Sequence, residues 1–437
     1  MGHVTAKEYL DLQKRLDESV QGAPPSDALY RILELIFTKE EAGLASVLPL
    51  KLFTAKEAAK RWRMTAEQAE KILGELADKG VIFDSKKGDE TLYCLAPTMA
   101  GFFEFSLMRE DGKFDRQALS KAFYEYINIE DDFVKQVLGI SPAIARVFVH
   151  ETALPPESHK EILNYERASA VIKTATCITV GACYCRHKME HLGKACDNPQ
   201  DVCLTFNSCA ENLSKRGIAK KISTEEGLAI LDKCINLGLV QIGDNIQAGV
   251  SFICNCCGCC CEAILAAKRL GNYEDFRSNY LAVNDESRCG GICGACAKHC
   301  PFEAITLVKN GDKKVAKIDP AKCVGCGVCT RFCPSKSISL KRRDNLKYVP
   351  FNTVERVVVS AIEEGKLQNY IFDNATLWTH RSLRKFLSVL FSLPPAKRAL
   401  ASRQLQSRFF KAVNKKAMKE AYKKLYREGG RFAVIEK

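Results

Sequence analysis

The sequence predicts an α+β protein with a cysteine-rich centre and a basic, helical C-terminus. Apolar residues recur at helical spacing in the first hundred residues, and short apolar runs bounded by turn residues predict strands further on. All but one of the 22 cysteines fall between residues 177 and 333. The length of 437 residues suggests about three domains. No apolar run approaches the roughly 20 residues that a membrane helix needs.

Five regions follow from these patterns. They are an N-terminal helical domain at 1–100, a helical connector at 101–165, a cysteine-rich domain at 166–284, a second cysteine-rich domain at 285–340 and a basic helical tail at 341–437. The N-terminus does not read as a signal peptide, so a cytoplasmic location is expected. Thiols stay reduced there, which favours metal ligation over disulfides.

The N-terminal domain carries a helix–turn–helix pattern followed by a hairpin pattern. Thr54 with Glu57 and Thr65 with Gln68 are capping boxes, and each begins an apolar stripe at helical spacing. Two short strand patterns come next. Over residues 26–96 this order resembles a winged helix-turn-helix domain.

A winged helix implies DNA binding, with protein docking or a structural role as the alternative. Its second helix would enter the major groove. The charged residues of that helix have a net charge of −2: Glu67, Glu70, Lys71, Glu75, Asp78 and Lys79. Because phosphates attract basic side chains, nucleic acid is not an expected partner. No catalytic pattern marks the connector, where His150 and His159 are expected to have core or surface roles.

The strongest pattern is a pair of cysteine runs around residue 300. The second run, Cys323 to Cys333, has the spacing C-x2-C-x2-C-x3-C-P, and the first, Cys289 to Cys300, has C-x3-C-x2-C-x3-C-P. Together they resemble a bacterial-type two-[4Fe–4S] ferredoxin domain, in which the fourth cysteine of each run ligates the other cluster.

The resemblance implies two [4Fe–4S] clusters. The implied ligand sets are Cys289, Cys293, Cys296 and Cys333 for one cluster, and Cys300, Cys323, Cys326 and Cys329 for the other. The first run departs from the family pattern by one extra residue between Cys289 and Cys293. A zinc ribbon is the alternative, although it would not need the two trailing Cys-Pro elements.

Ten cysteines upstream have a less standard arrangement. They are Cys183, Cys185, Cys196, Cys203, Cys254, Cys256, Cys257, Cys259, Cys260 and Cys261. Adjacent thiols are open to oxidation unless they are ligated or kept reduced. One cubane takes four cysteine ligands, so the first four cysteines with part of the 254–261 run predict at least one further Fe–S centre. Zinc is the alternative metal.

The remaining cysteines and three basic residues are predicted to have other roles. Three cysteines are predicted to pack in the core: Cys94, Cys177 and Cys234. Cys209 receives no assignment. The basic side chains of Arg186, His187 and Lys188 are expected either to donate hydrogen bonds to a cluster or to form a solvated patch.

The tail holds the excess positive charge of the chain. Residues 341–437 contain 22 Lys/Arg and 8 Asp/Glu, a net charge of +14, against −1 for residues 1–340. The segment 411–427 is the most basic part. An amphipathic basic helix suits an anionic membrane surface or an acidic redox partner, and a helical cover packed on the protein is the third alternative.

These patterns predict a multi-cluster iron–sulfur protein that transfers electrons between redox partner proteins. The arrangement resembles the multidomain [4Fe–4S] proteins of strictly anaerobic bacteria. No glycine-rich nucleotide-binding pattern is visible, so NAD, flavin and ATP are not expected. Two alternatives are an Fe–S-dependent reductase with its active centre at Cys254–Cys261, and a redox-sensing winged-helix regulator.

Overall fold

The computed structural model describes residues 5–154, 164–290, 293–311, 313–374 and 377–392. It is a mixed α and β structure, which confirms the α+β class. His159 and the basic segment 411–427 lie outside these ranges. Within them, no helix combines the length and the apolar character that crossing a membrane requires.

The N-terminal region contains the predicted helices and hairpin. Its elements are α1 (Lys7–Asp17), α2 (Asp27–Ile36), α3 (Lys39–Ala45), β1 (Phe53–Thr54), α4 (Ala55–Trp62), α5 (Ala66–Asp78), β2 (Ile82–Lys87) and β3 (Glu90–Leu95). Both predicted capping boxes form, at the starts of α4 and α5. Strand β3 pairs antiparallel with β1 on one side and β2 on the other.

The connector is helical but contributes one edge strand to a six-stranded sheet. It comprises α6 (Phe103–Met108), α7 (Arg116–Phe123), a π-helical turn at Tyr124–Ile129, α8 (Asp132–Gly139) and β4 (Ala145–Val147). Phe103 packs against the rings of Phe102, Phe123, Tyr126 and Phe133. This aromatic cluster ties the helices of the connector together.

The cysteine-rich region is built on an antiparallel sheet. Its elements are α9 (Ala168–Thr174), β5 (Ile178–Ala182), α10 (Tyr184–His191), β6 (Asp201–Phe206), α11 (Asn207–Lys215), β7 (Lys220–Ile222), α12 (Thr224–Asn236), β8 (Val240–Asp244), β9 (Phe252–Cys256) and α13 (Glu262–Leu270). The strand order is β4-β8-β9-β6-β5-β7. Because β4 belongs to this sheet, the predicted boundary at residue 165 separates strands that pair.

The second cysteine-rich region has two strand pairs. Its elements are β10 (Tyr280–Asn284), α14 (Ala295–Lys298), β11 (Ile305–Asn310), β12 (Lys313–Ile318), α15 (Val328–Arg331) and β13 (Ile338–Arg342). β10 pairs with β13, and β11 pairs with β12. The outer pair therefore begins before the predicted start of this region and ends just after its predicted end.

The described part of the tail packs against the N-terminal helices. It forms α16 (Thr353–Glu363), α17 (Leu367–Ile371) and α18 (Trp378–Ser392). Asp373, after α17, forms a buried ion pair with Arg15 of α1 and accepts the Leu50 backbone N–H at 3.0 Å. This part of the tail acts as a helical cover.

Candidate metal centres

The structure gathers the predicted metal-binding cysteines into three places. Eight lie on the loops and short helices of the 289–333 region. Six form a ring next to strands β6 and β9 of the six-stranded sheet, and four form a compact group beside that ring. None of the cysteines in the described part of the chain forms a disulfide. The thiol chemistry of all three places fits soft metal centres.

Cys296 interacts electrostatically with three other cysteines of the 289–333 region. Burial raises its pKa, and the nearby thiols of Cys333, Cys293 and Cys289 raise it further. These are the four cysteines of the first implied ligand set. Cys293 is exposed, whereas Cys289, Cys296 and Cys333 are buried.

Cys329 interacts electrostatically with the remaining cysteines of this region. Burial raises its pKa well above the usual range, and Cys326, Cys323 and Cys300 add to the shift. These are the four cysteines of the second implied set. Cys296 also acts on Cys329, so the two sets are close enough to influence each other.

The fourth cysteine of each run accepts a hydrogen bond from the backbone N–H four residues further on. Cys300 Sγ accepts the Ala304 N–H at 3.3 Å, and Cys333 Sγ accepts the Ser337 N–H at 3.3 Å. Burial alone would raise the pKa of Cys333, but hydrogen bonds from Ser335 and Ser337 lower it to about 7. Donors of this kind stabilise thiolates and tune the potential of a bound cluster.

Six cysteines form a closed ring of thiol contacts. In ring order they are Cys183, Cys185, Cys261, Cys256, Cys254 and Cys203, and each thiol shifts the pKa of its two neighbours through hydrogen bonding. Hydrogen bonds from ring neighbours lower the pKa of three of them: Cys183, Cys254 and Cys261. All six line a cavity of about 100 Å³.

Strand geometry explains how distant cysteines reach this ring. Cys254 and Cys256 are two residues apart on β9 and so face the same side of the sheet. Cys203 comes from β6, which pairs with both β9 and β5. A register shift between β5 and β6 at Gly181/Ala182 precedes Cys183 at the start of α10. Asn255, on the other side of β9, donates to the Val202 carbonyl at 2.7 Å and fastens the strands together.

The remaining four cysteines form a compact group. Cys196, Cys257, Cys259 and Cys260 have sulfur atoms that all lie within 4.8 Å of one another. Cys196 belongs to the segment between α10 and β6, and the others precede α13. Hydrogen bonding with Cys260, together with the charge of Arg186, lowers the pKa of Cys257 to about 5 despite its burial.

Arg186 is fully buried between the two cysteine groups. Its guanidinium donates to the Asn255 carbonyl at 3.2 Å and to Cys257 Sγ at 3.6 Å. Burial alone would lower its pKa, but the Cys183 and Cys257 sulfurs raise it above the ordinary value. Of the two alternatives for the basic side chains, a solvated patch is therefore wrong, because burial excludes it.

The other two basic side chains are also buried. Lys188 forms an ion pair with Glu262, and Asn128 bridges it by donating to Glu262 at 2.6 Å. Burial raises the pKa of Glu262, while Lys188 opposes that shift. His187 Nδ1 lies 2.6 Å from the Leu107 carbonyl. These partners belong to the connector and to α13. The sequence alone does not show that these segments lie next to α10.

Glu104 is a site residue that sequence reasoning missed. It lines the ring cavity, and its pKa is raised well above the usual range by burial and by the nearby Cys254, Cys261 and Cys183 thiols. Its place in the apolar run Phe102–Leu107 is the signal that could have found it, because an acidic residue in such a run is unusual.

The remaining expectations concern isolated residues. Cys177 and Cys234 are buried, as predicted, and Cys94 is half-buried on β3. Burial raises the pKa of the half-buried Cys209 to about 12. His150 is buried, and its Nε2 lies 3.1 Å from the Leu239 carbonyl, which confirms a core role.

One apolar cluster connects the ring with the 289–333 region. It includes Cys256 and Cys261 of the ring together with Cys326, and Cys300 packs against it. The aromatic ring of Phe302 lies in the same cluster. Part of the second ligand set and part of the six-cysteine ring therefore share one buried apolar environment.

A family model described as a 4Fe-4S dicluster domain matches residues 288–337. The chain therefore contains a 4Fe–4S dicluster domain and is an iron–sulfur protein. Over 37 residues it is 54% identical to an iron–sulfur subunit of the CoB–CoM heterodisulfide reductase of Methanopyrus kandleri, a match that covers 8% of this chain and 5% of that relative. No solved structure matches the chain. The similarities support an iron–sulfur redox role.

Proposed function

We propose that this chain transfers electrons between redox partner proteins through at least three iron–sulfur centres. Two are the [4Fe–4S] clusters of the dicluster domain, on the ligand sets that include Cys296 and Cys329. The third occupies the six-cysteine ring. The observation that carries the proposal is the apolar cluster shared by Cys326 of the dicluster domain with Cys256 and Cys261 of the ring.

The burial of the cysteines suggests an order for the electron path. Cys293, in the first set, is exposed and would lie nearest to a partner protein. Cys296 and Cys329 lie close enough for their charges to interact, which connects the first set to the second. From the second set, the shared apolar cluster leads to the ring.

The ring supplies more thiols than one cubane needs. A [4Fe–4S] cluster takes four cysteine ligands, whereas the ring has six, and Cys257 of the four-cysteine group also lines the cavity. The ring centre is therefore either a cubane with two additional thiols nearby or a larger cluster. Cluster content distinguishes these forms.

Iron, acid-labile sulfide and EPR of anaerobically purified protein test the proposal. Twelve or more irons per chain are expected, against about eight if only the dicluster domain is loaded. Cys256→Ser should remove the signal of the ring centre and leave the coupled signals of the dicluster domain. Cys209→Ser, outside all three cysteine groups, is the matched control. Eight irons in the parent protein would exclude the ring centre.

A reductase is the second candidate, and the ring cavity favours it. The cavity has apolar walls that include Met99, Val137 and Phe276, and the Glu104 carboxyl lies among the ring thiols. A protonated carboxyl beside a redox centre is suited to deliver a proton to a reduced substrate. Substrate-dependent oxidation of the reduced protein, lost in Glu104→Gln, would support this candidate over electron transfer alone.

The regulator alternative has less support. Asp78 of α5 and Asp84 of β2 both pair with Arg216 at the end of α11. These contacts dock the winged helix-like region onto the cysteine-rich region through the helix and hairpin that would contact DNA. Protein docking is therefore the role we propose for that region.

An acidic redox partner is the proposed ligand of the basic tail, with an anionic membrane surface as the alternative.

A further inference from the structure

The four-cysteine group has the arrangement of a tetrahedron. Its sulfur atoms are separated by 3.7 Å for Cys196 and Cys257, 3.7 Å for Cys259 and Cys260, and 3.9 Å for Cys260 and Cys196. The sulfur atoms of the other three pairs, Cys259 with Cys196, Cys259 with Cys257 and Cys260 with Cys257, lie within 4.8 Å of each other. All six sulfur–sulfur separations are therefore 4.8 Å or less, as in a compact tetrahedron.

These separations match four thiolates on a single metal ion. A Zn–S bond of about 2.3 Å gives sulfur atoms about 3.8 Å apart at the corners of a regular tetrahedron. A cubane holds each thiolate on a different iron, so its thiolates stand further apart. The six-cysteine ring differs in kind, because each of its thiols contacts two neighbours around a cavity.

We infer that Cys196, Cys257, Cys259 and Cys260 bind one Zn²⁺ ion as a structural site, separate from the iron–sulfur centres. Four thiolates complete the coordination of the ion and leave no open position for substrate or water. The site does not depend on the proposed electron transfer. It replaces, for these four residues, the expectation that they contribute to an Fe–S cluster.

The surroundings of the group suit a thiolate-bound ion. Asn198 Nδ2 donates to Cys196 Sγ at 3.3 Å, and Arg186 donates to Cys257 Sγ at 3.6 Å. Four thiolates around Zn²⁺ carry a net charge of −2, and the buried Arg186 offsets part of it. Outer donors of this kind orient ligands and are worth about 10- to 100-fold in metal affinity. Cys259 is exposed and provides a route for the ion to enter.

The ion would connect two segments that also carry the ring. Cys196 lies between Cys185 and Cys203, and the other three ligands lie between Cys256 and Cys261. An ion that joins these segments would fix the positions of the ring cysteines that flank each ligand in the chain. Zinc in this place organises the ring without taking part in redox chemistry.

Metal analysis of the full chain, grown with both iron and zinc and purified anaerobically, tests the inference. About one zinc per chain is expected in addition to the iron. Zinc-edge X-ray absorption should show four sulfur neighbours at about 2.3 Å. Nitrogen or oxygen neighbours would mean an adventitious ion and would overturn the inference, as would the absence of zinc.

Variants identify the ligands. Cys259→Ser and Cys196→Ser should each reduce the zinc content at least tenfold, with the eight irons of the dicluster domain retained; Cys209→Ser should leave zinc unchanged. Loss of about four irons with no change in zinc would show a cubane at this site instead. If both variants fail to fold, the absorption edge of the parent protein decides. Absence of the EPR signal of the ring centre would contradict the proposed third iron–sulfur centre but would not bear on the zinc site.

Discussion

Gly258 lies directly against Pro301, at the contact between the cysteine-rich region and the dicluster domain. A Cβ atom added at Gly258 would stand 2.9 Å from the Pro301 carbonyl oxygen and 3.0 Å from its Cα. Lys268 reinforces the contact, donating to the Gly258 carbonyl at 3.1 Å and to Glu303 at 2.5 Å. The loop that carries the cysteine run therefore touches a Cys-Pro element of the dicluster domain.

Gly258→Ala should weaken this contact, because neither backbone can move away without disturbing cysteines. The expected loss is about 1–3 kcal/mol in the free energy of unfolding, the usual cost of overpacking. Anaerobic chemical denaturation measures it. Gly74→Ala is the control: its Cβ meets nothing within 4 Å, and alanine in a helix is expected to stabilise by up to about 1 kcal/mol. Equal stability of Gly258→Ala and the parent protein would contradict the close contact.

Lys188→Met should be strongly destabilising, because it leaves Glu262 buried without its charge partner. A loss of about 3–5 kcal/mol is expected. The pKa of Glu262 should rise further, so the loss should shrink as the pH falls and the carboxyl becomes protonated. Denaturation at several pH values measures both effects.

Two further variants show whether the burial of this pair is responsible. Lys188→Met with Glu262→Leu removes both charges and should recover most of the lost stability. Arg31→Met breaks the exposed pair with Glu125 and should cost at most about 1 kcal/mol. A double variant no more stable than Lys188→Met would contradict the charge argument.

Arg186→Met should lower the reduction potential of the ring centre, because a buried cation next to Cys183 and Cys257 favours the reduced, more negative state. It also removes the donors to the Asn255 carbonyl and should cost about 1–3 kcal/mol. Arg186→Lys keeps the charge and should keep most of the potential while losing stability. EPR-monitored titration measures the potential, and an unchanged value in Arg186→Met would place the ring centre away from the guanidinium.

His150 should make the protein less stable in mild acid. Burial lowers its pKa from the ordinary 6.5 to about 4. Between these values the unfolded chain takes up a proton that the folded chain does not. Stability is therefore unaffected above about pH 6.5 and falls as the pH drops toward 4, by about 2 kcal/mol at pH 5.

His150→Gln tests this contribution, because glutamine can keep a hydrogen bond to Leu239 without titrating. The variant should lose about 2 kcal/mol less than the parent protein between pH 7 and pH 5. His299→Gln, at a half-buried histidine stacked on Phe332, is the matched control. Identical pH dependence in parent and His150→Gln would assign the acid sensitivity to other groups.

Local patterns were sufficient for several parts of the structure. The capping boxes at Thr54 and Thr65 predicted two helices, because a cap and its partner lie three residues apart and need nothing else. The cysteine runs at 289–333 predicted the dicluster domain for the same reason, since the loops that wrap a cluster are continuous in the chain.

The cysteine spacing alone marks the upstream cysteines as candidate metal ligands, whereas their division into a ring and a tetrahedron depends on the folded structure. Cys256 and Cys257 are neighbours and belong to different groups, because β9 ends between them and their side chains diverge. The ring also contains cysteines from the start of α10 and from β6, and the tetrahedron contains Cys196 from the segment between them. All of these lie more than 50 residues before Cys254 in the chain. Glu104 likewise reaches the cavity wall from a distant part of the chain, and Asp373 forms its ion pair with Arg15 across more than 300 residues. Pairings over such distances depend on how the helices pack on the sheet, which no local pattern encodes.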